Sequence, residues 1–126
     1  MMKTVYTEKA PAAIGPYSQA VIFQDLVFTS GQIPVNPATG EVVEGTIKEQ
    51  AEQVMKNLDA VLKEAGSCLE NAVKTTCFLA NMDDFTAFNE VYAGYFVNKP
   101  ARSCVAVKTL PKNVLCEVEV IAAVSK

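Results

Sequence analysis

Histidine is absent from all 126 residues of the chain. Its absence excludes Ser-His-Asp and Cys-His catalysis and every histidine-ligated metal site. Tryptophan is absent as well. The four cysteines, Cys68, Cys77, Cys104 and Cys116, form no C-x-x-C pair, the close spacing on which thiolate zinc sites are usually built. They read as reduced, mostly buried thiols of a cytoplasmic protein, with no metal expected. No apolar run approaches the roughly 20 residues of a membrane span, and no stretch of leader length follows Met1-Met2-Lys3-Thr4. No membrane partner is therefore expected. Clustered basic charge is also missing: 11 Lys and Arg stand against 14 Asp and Glu, for a net charge of −3. Phosphate backbones are gripped by concentrated positive charge, so no nucleic-acid partner is expected.

What remains is a globular composition, 50% hydrophobic and 20% charged, of a length that suits one domain over residues 1–126. Residues 1–45 are rich in strand and turn signals. Ala20-Val21-Ile22-Phe23 and Leu26-Val27-Phe28-Thr29 flank Gln24-Asp25, the pattern of a β-hairpin. Gly and Pro then punctuate residues 30–40 as loop. Residues 46–65 carry one helical stripe, Ile47, Ala51, Val54, Met55, Leu58, Val61, Leu62 and Ala65. Thr46 and Glu49 make a capping box, and Gly66 is the stop.

Residues 71–80 read as a buried strand and 83–96 as a second helix. The stripe of that helix is Phe85, Phe88, Val91, Tyr92, Tyr95 and Phe96, a core face rather than a base-stacking platform. Residues 102–110 and 114–124 are expected to form the last two strands, a hairpin turning at Pro111-Lys112-Asn113. In the final strand Cys116, Val118, Val120, Ala122 and Val124 alternate with Leu115, Glu117, Glu119, Ile121 and Ala123, so the first set packs on the helices and the second lies opposite. The order β-β-β-α-β-α-β-β predicts an α+β fold, a mixed six-stranded sheet with both helices on one face. The other face, partly apolar, is left to meet other subunits.

Without histidine, acid–base work falls to Asp, Glu, Tyr, Cys or Lys. Arg102, at a strand start, matches a carboxylate through two parallel hydrogen bonds; by position alone, a surface salt bridge is its more ordinary use. Glu117, on the face away from the helices, is placed to orient or deprotonate a water, or else is a solvated strand carboxylate. Tyr17 follows the forced turn of Gly15-Pro16 and packs there or donates a proton. Ser30, lacking a histidine, is a hydrogen-bonding residue rather than a nucleophile. Beside it Gly31 lets backbone N–H groups approach a ligand. Cys104 is a nucleophile or a small buried hydrophobe. If Leu110 pairs with Leu115 across the turn, Arg102 lies opposite Ala123 and on the order of 20 Å from Glu117. One chain then cannot bring both to one small substrate, and a shared site must lie between subunits.

Several motifs recur together: I-G-P-Y-S-Q-A at 14–20, F-T-S-G-Q-I-P at 28–34, and N-E-V-Y at 89–92, followed by P-A-R-S-C-V at 100–105 and L-P-K-N-V-L-C-E-V-E at 110–119. Over essentially its whole length the chain resembles the RidA (YjgF) family of enamine/imine deaminases. The resemblance implies a fold like that of chorismate mutase from bacilli, in a homotrimer whose sheets form a central barrel with a site at each interface. It implies hydrolysis of reactive 2-enamine and 2-imino acids, such as 2-iminobutanoate and 2-iminopropanoate, to 2-keto acids and ammonia. Such species are released by PLP-dependent dehydratases. It assigns the substrate carboxylate to Arg102 and the water to Glu117. Tyr17, Ser30, Gly31, Asn89 and Cys104 complete the pocket, Cys104 through its backbone, and no cofactor is implied. Two other readings are a non-catalytic binder or regulator sensing a small carboxylate, and an RNA-directed nuclease or translation inhibitor. The acidic charge balance speaks against the latter.

Overall fold

A computed structural model describes residues 2–125; the first and last residues of the expected 1–126 domain lie outside the described residues. Six strands form one sheet: β1 (Met2–Val5), β2 (Ala20–Phe23), β3 (Leu26–Thr29), β4 (Ala72–Leu79), β5 (Ala101–Ala106) and β6 (Cys116–Ala123). Their spatial order is β1-β2-β3-β6-β4-β5. Two helices, α1 (Ile47–Glu64) and α2 (Phe85–Tyr95), pack together on one face.

Local chemistry sets the limits of α1. The Thr46 N–H donates to Glu49 Oε1 at 2.6 Å while Thr46 Oγ1 accepts from Lys48 at 3.4 Å, completing the capping box. At the other end Gly66 takes φ +81°, and Ser67 N–H reaches back to the Leu62 carbonyl at 2.8 Å. A residue free of a Cβ penalty closes a helix this way without strain. The expected stripe lies inward, with Val54, Met55, Leu58, Val61 and Leu62 fully buried. Phe88 and Phe96 of the second stripe join them. Full burial of each such side chain contributes roughly 1.5–3 kcal/mol.

The hairpin of β2 and β3 has the expected two-residue turn, Gln24 in the left-handed region at φ 56°. The alternation of β6 also holds: Cys116, Val118, Val120 and Ala122 are buried under the helices, and Glu117, Glu119 and Ile121 lie opposite.

The final hairpin is not formed. β4 lies between β5 and β6, parallel to β5 and antiparallel to β6. Arg102 is level with Thr75 of β4, and Thr75 with Val120 of β6, instead of Arg102 facing Ala123. The cause is the β4-α2-β5 order: a strand, a covering helix and a parallel strand form a crossover unit, which seats β5 beside β4. β5 also ends at Ala106, short of residue 110. Residues 111–113 form a 3-10 turn with Lys112 and Asn113 at positive φ, and Val107 N–H bonds to Leu79 O.

One irregularity bears on the site. Phe28 pairs with Ile121 and Gln32 with Val118, so residues 29–31 oppose only residues 119 and 120. The extra residue makes a β-bulge, and Val120 N–H is taken up by Thr29 Oγ1 at 3.0 Å.

Candidate active site

The residues singled out in the sequence fall into two clusters on opposite faces of the sheet. The first lies on the helix face at the edge strand β5. Arg102 Nη1 donates to Asn89 Oδ1 of α2 at 2.7 Å. The Arg102 guanidinium carbon lies 4.7 Å from the Tyr92 ring centre and 5.5 Å from that of Phe85. Phe85, Asn89 and Tyr92 are spaced to lie on one helical stripe. That stripe is both the core face of α2 and the bed of the guanidinium. No carboxylate pairs with Arg102 among the described residues, where the ion pairs are Lys48–Glu90 and Lys63–Asp59. The surface salt bridge weighed for this arginine is therefore not what the structure shows. A half-buried cation on aromatic faces, with one nitrogen engaged by a neutral amide, keeps donors for an anion. The open cleft beside it, about 310 Å³, is lined by Asn89, Tyr92, Phe96, Lys99 and Arg102 among others.

Cys104 sits next along this face, level with Cys77 of β4. Burial pushes the Cys104 thiol up, partly offset by Arg102, and pushes Cys77 up to about 12. Thiols held protonated this way are poor nucleophiles. All four cysteines are free, and no three His, Cys, Asp or Glu side chains among the described residues are grouped to hold a metal ion.

The second cluster lies on the other face. Glu117 of β6 is half-buried, and burial, with the like charge of Glu119, raises its pKa above the ordinary carboxylate value. Its side chain rests on Gly31: a Cβ built there would stand 2.0 Å from Glu117 Oε2. Gly31, within the bulge at 29–31, thus permits this close approach of the carboxylate. Ser30 Oγ donates to the Ser18 carbonyl at 2.6 Å, and Ser30 N–H to the Gln19 carbonyl at 2.9 Å. These bonds tie the bulge to the segment bearing Tyr17. Buried Gln19 anchors that segment in turn, through Thr7, Ala10 and Pro11. Tyr17 itself is 54% exposed and Ile14 79% exposed. Glu117, Ser30, Gly31, Tyr17, Ile14 and Lys112 line one cleft.

The structure brings Arg102, Asn89 and Cys104 together, and separately Glu117, Gly31, Ser30 and Tyr17. It does not join the two sets within one chain. Arg102 and Glu117 stand two strands and three positions apart in register, a backbone separation of about 14 Å at the usual strand spacings, with their side chains on opposite faces. The expected gap of 20 Å along a hairpin is replaced by a shorter diagonal through the sheet. Sequence reasoning missed Phe85, Tyr92 and Thr75 as parts of the arginine's surroundings. The available signal was polar Asn89 set in an otherwise aromatic stripe.

The comparisons with known proteins follow the same lines. A profile of the family described as Endoribonuclease L-PSP matches residues 7–124. A RutC family protein of Pyrococcus abyssi is 51% identical over 121 residues, covering 95% of both chains. The crystal structure of yeast Mmf1 superposes with a TM-score of 0.96 at 48% identity, over 99% of this chain and 100% of that one. The Escherichia coli protein TdcF, solved with serine bound, gives a TM-score of 0.92 at 43% identity, over 98% and 99% of the two chains. With the family profile matching residues 7–124 and relatives near 50% identical over almost all of the chain, the chain belongs to the Endoribonuclease L-PSP family, the YjgF/RidA family.

Proposed function

We propose that the protein hydrolyses 2-imino acids to 2-keto acids and ammonia, at a site assembled when the Arg102 cluster of one copy meets the Glu117 cluster of another in a homotrimer. The observation that carries this reading is Arg102, a half-buried cation on an aromatic bed with no carboxylate partner among the described residues. Such a group suits a small carboxylate. Serine bound to the related TdcF is a ligand of that kind.

The chemistry follows from the groups present. Arg102 pairs with the carboxylate of the imino acid and fixes the adjacent C=N carbon. Glu117, ionised, accepts a proton from water as the water oxygen bonds to that carbon and the C=N π electrons move to nitrogen. The nitrogen takes up the proton held by Glu117 to give the tetrahedral carbinolamine; the hydroxyl proton then passes through Glu117 to the amino group as the C=O bond forms and the C–N bond breaks, releasing ammonia and the keto acid. An enamine substrate first gains a proton at carbon, and a carboxyl with a raised pKa is suited to deliver it. The apolar open face, with Phe28 40% and Val105 47% exposed, offers the surface on which copies associate.

The test is keto-acid formation from a freshly generated imine. A threonine dehydratase feeds 2-aminocrotonate, and release of 2-ketobutanoate is followed in buffer, with wild type, and with Arg102→Ala. Wild type accelerates release, and the variant raises KM about tenfold to a hundredfold, the loss expected for charge-assisted hydrogen bonds. No acceleration by wild type overturns the reading. Sedimentation that finds a monomer overturns the shared site.

A further inference from the structure

Beneath Arg102 two hydroxyls meet in a layer that is otherwise apolar. Thr75 is fully buried, and its Oγ1 lies 2.7 Å from the Tyr92 hydroxyl, itself on a buried ring. Phe88 and Phe96 pack against the Tyr92 ring, and Cys77 follows Thr75 on the same face of β4, all buried. Packing does not call for these oxygens, because replacing both members of a buried hydrogen bond by apolar groups of the same shape is nearly neutral for stability. Valine and phenylalanine would fill the same space.

The position of the pair is informative. Thr75 is the residue of β4 directly level with Arg102 of β5. The Tyr92 ring is stacked on Phe96, centroids 4.6 Å apart, and the Arg102 guanidinium lies over Tyr92 at 4.7 Å. The hydroxyl bond therefore ties the platform under the guanidinium to the strand neighbouring that of the arginine. We infer that Thr75 and Tyr92 are positioning residues, whose hydroxyl pair holds the aromatic platform so that Arg102 presents its unengaged donors to the ligand carboxylate. The inference rests on the proposed role of Arg102 as carboxylate anchor.

The test uses Thr75→Val, Tyr92→Phe, the double variant and Thr75→Ser in the full chain. KM and kcat are measured with 2-iminobutanoate, the Kd with 2-oxobutanoate, and stability by thermal melting. Each single variant loses stability, because one buried hydroxyl is orphaned, and raises KM and Kd by about threefold to tenfold, the worth of one neutral hydrogen bond, with kcat nearly unchanged. The double variant recovers the stability but keeps the raised KM and Kd. Thr75→Ser restores both. Recovery of KM and Kd together with stability in the double variant makes the pair merely structural and overturns the inference. So do unchanged KM and Kd in all variants while Arg102→Ala weakens binding. If Arg102→Ala itself leaves binding unchanged, the anchor is misassigned, and the inference falls with that reading rather than by its own failure.

Discussion

The two faces of the sheet hold their polar groups in different ways. On the helix face the Arg102 cluster is braced from several sides: Asn89 bonds the guanidinium, Tyr92 and Phe85 lie against it, and Thr75 secures Tyr92 from below. On the other face the Glu117 cluster is braced from one side only. Gly31 supports the carboxylate from beneath, while Tyr17 and Ile14 extend into solvent. A cation on a preorganised bed suits binding, where orientation must exist before the ligand arrives. A carboxylate with a raised pKa and an open side suits proton transfer, where the second wall comes from elsewhere. On the proposed reading, binding and chemistry are divided between faces that the single chain does not bring together.

Three measurements test this division. The largest effect is expected from Glu117→Gln. It removes the proton acceptor, so kcat falls by about 10² to 10⁴, while Kd for 2-oxobutanoate stays near the wild-type value. Stability moves the other way. A carboxyl whose pKa is raised on folding contributes stability in its protonated form, present below the ordinary value and lost as pH rises through the raised one. Chemical melts should find the glutamine variant more stable than wild type at neutral pH, with the gain gone at pH 3. Equal turnover in the variant removes Glu117 from the reaction.

Gly31→Ala comes next. The added methyl meets Glu117 Oε2 at 2.0 Å and must displace the carboxylate. Displacement of a reacting group by an ångström is worth about 10² in rate, so kcat should fall by about that factor in the same keto-acid assay, with ligand affinity little changed. An alanine variant as weak in binding as in turnover shows instead that Gly31 contacts the ligand. The smallest effect is expected from Glu119→Gln. The charge of Glu119 helps to raise the Glu117 pKa, so its removal lowers that pKa. The acid limb of the pH–rate profile then moves to lower pH, with the plateau unchanged. A limb that stays in place assigns it to another group.

Much of this arrangement is legible in the residues themselves. Thr46, Glu49 and Gly66 delimit α1 by chemistry confined to a few neighbours, and the alternation along β6 alone puts Glu117 opposite the helices. Local rules are enough where the partners are local. The place of β4 between β5 and β6 is different, because strand order depends on pairings between distant segments. Two strands flanking a short turn resemble a hairpin until the crossover through α2 is taken into account. The bed of Arg102 was hidden for another reason. Phe85 and Tyr92 satisfy the pattern of a core stripe completely, and nothing in such a stripe tells which rings also face a cation across the sheet edge.

The bulge at residues 29–31 has a consequence for how the chain tolerates change in length. Up to Phe28, β3 reads in phase with β6, and from Gln32 onward it reads one residue out of phase. The supernumerary position works like a leap day, keeping two calendars aligned that would otherwise drift. Removing one residue between Thr29 and Gly31 would set two residues against two, so the ladder would run unbroken from Phe28 to Gln32 and the bulge that lays Gly31 against Glu117 would vanish. Adding one would lengthen the excursion instead. A stretch with the composition of a loop thus carries a set length for the sake of the cleft beside it, while the sheet itself would close without it.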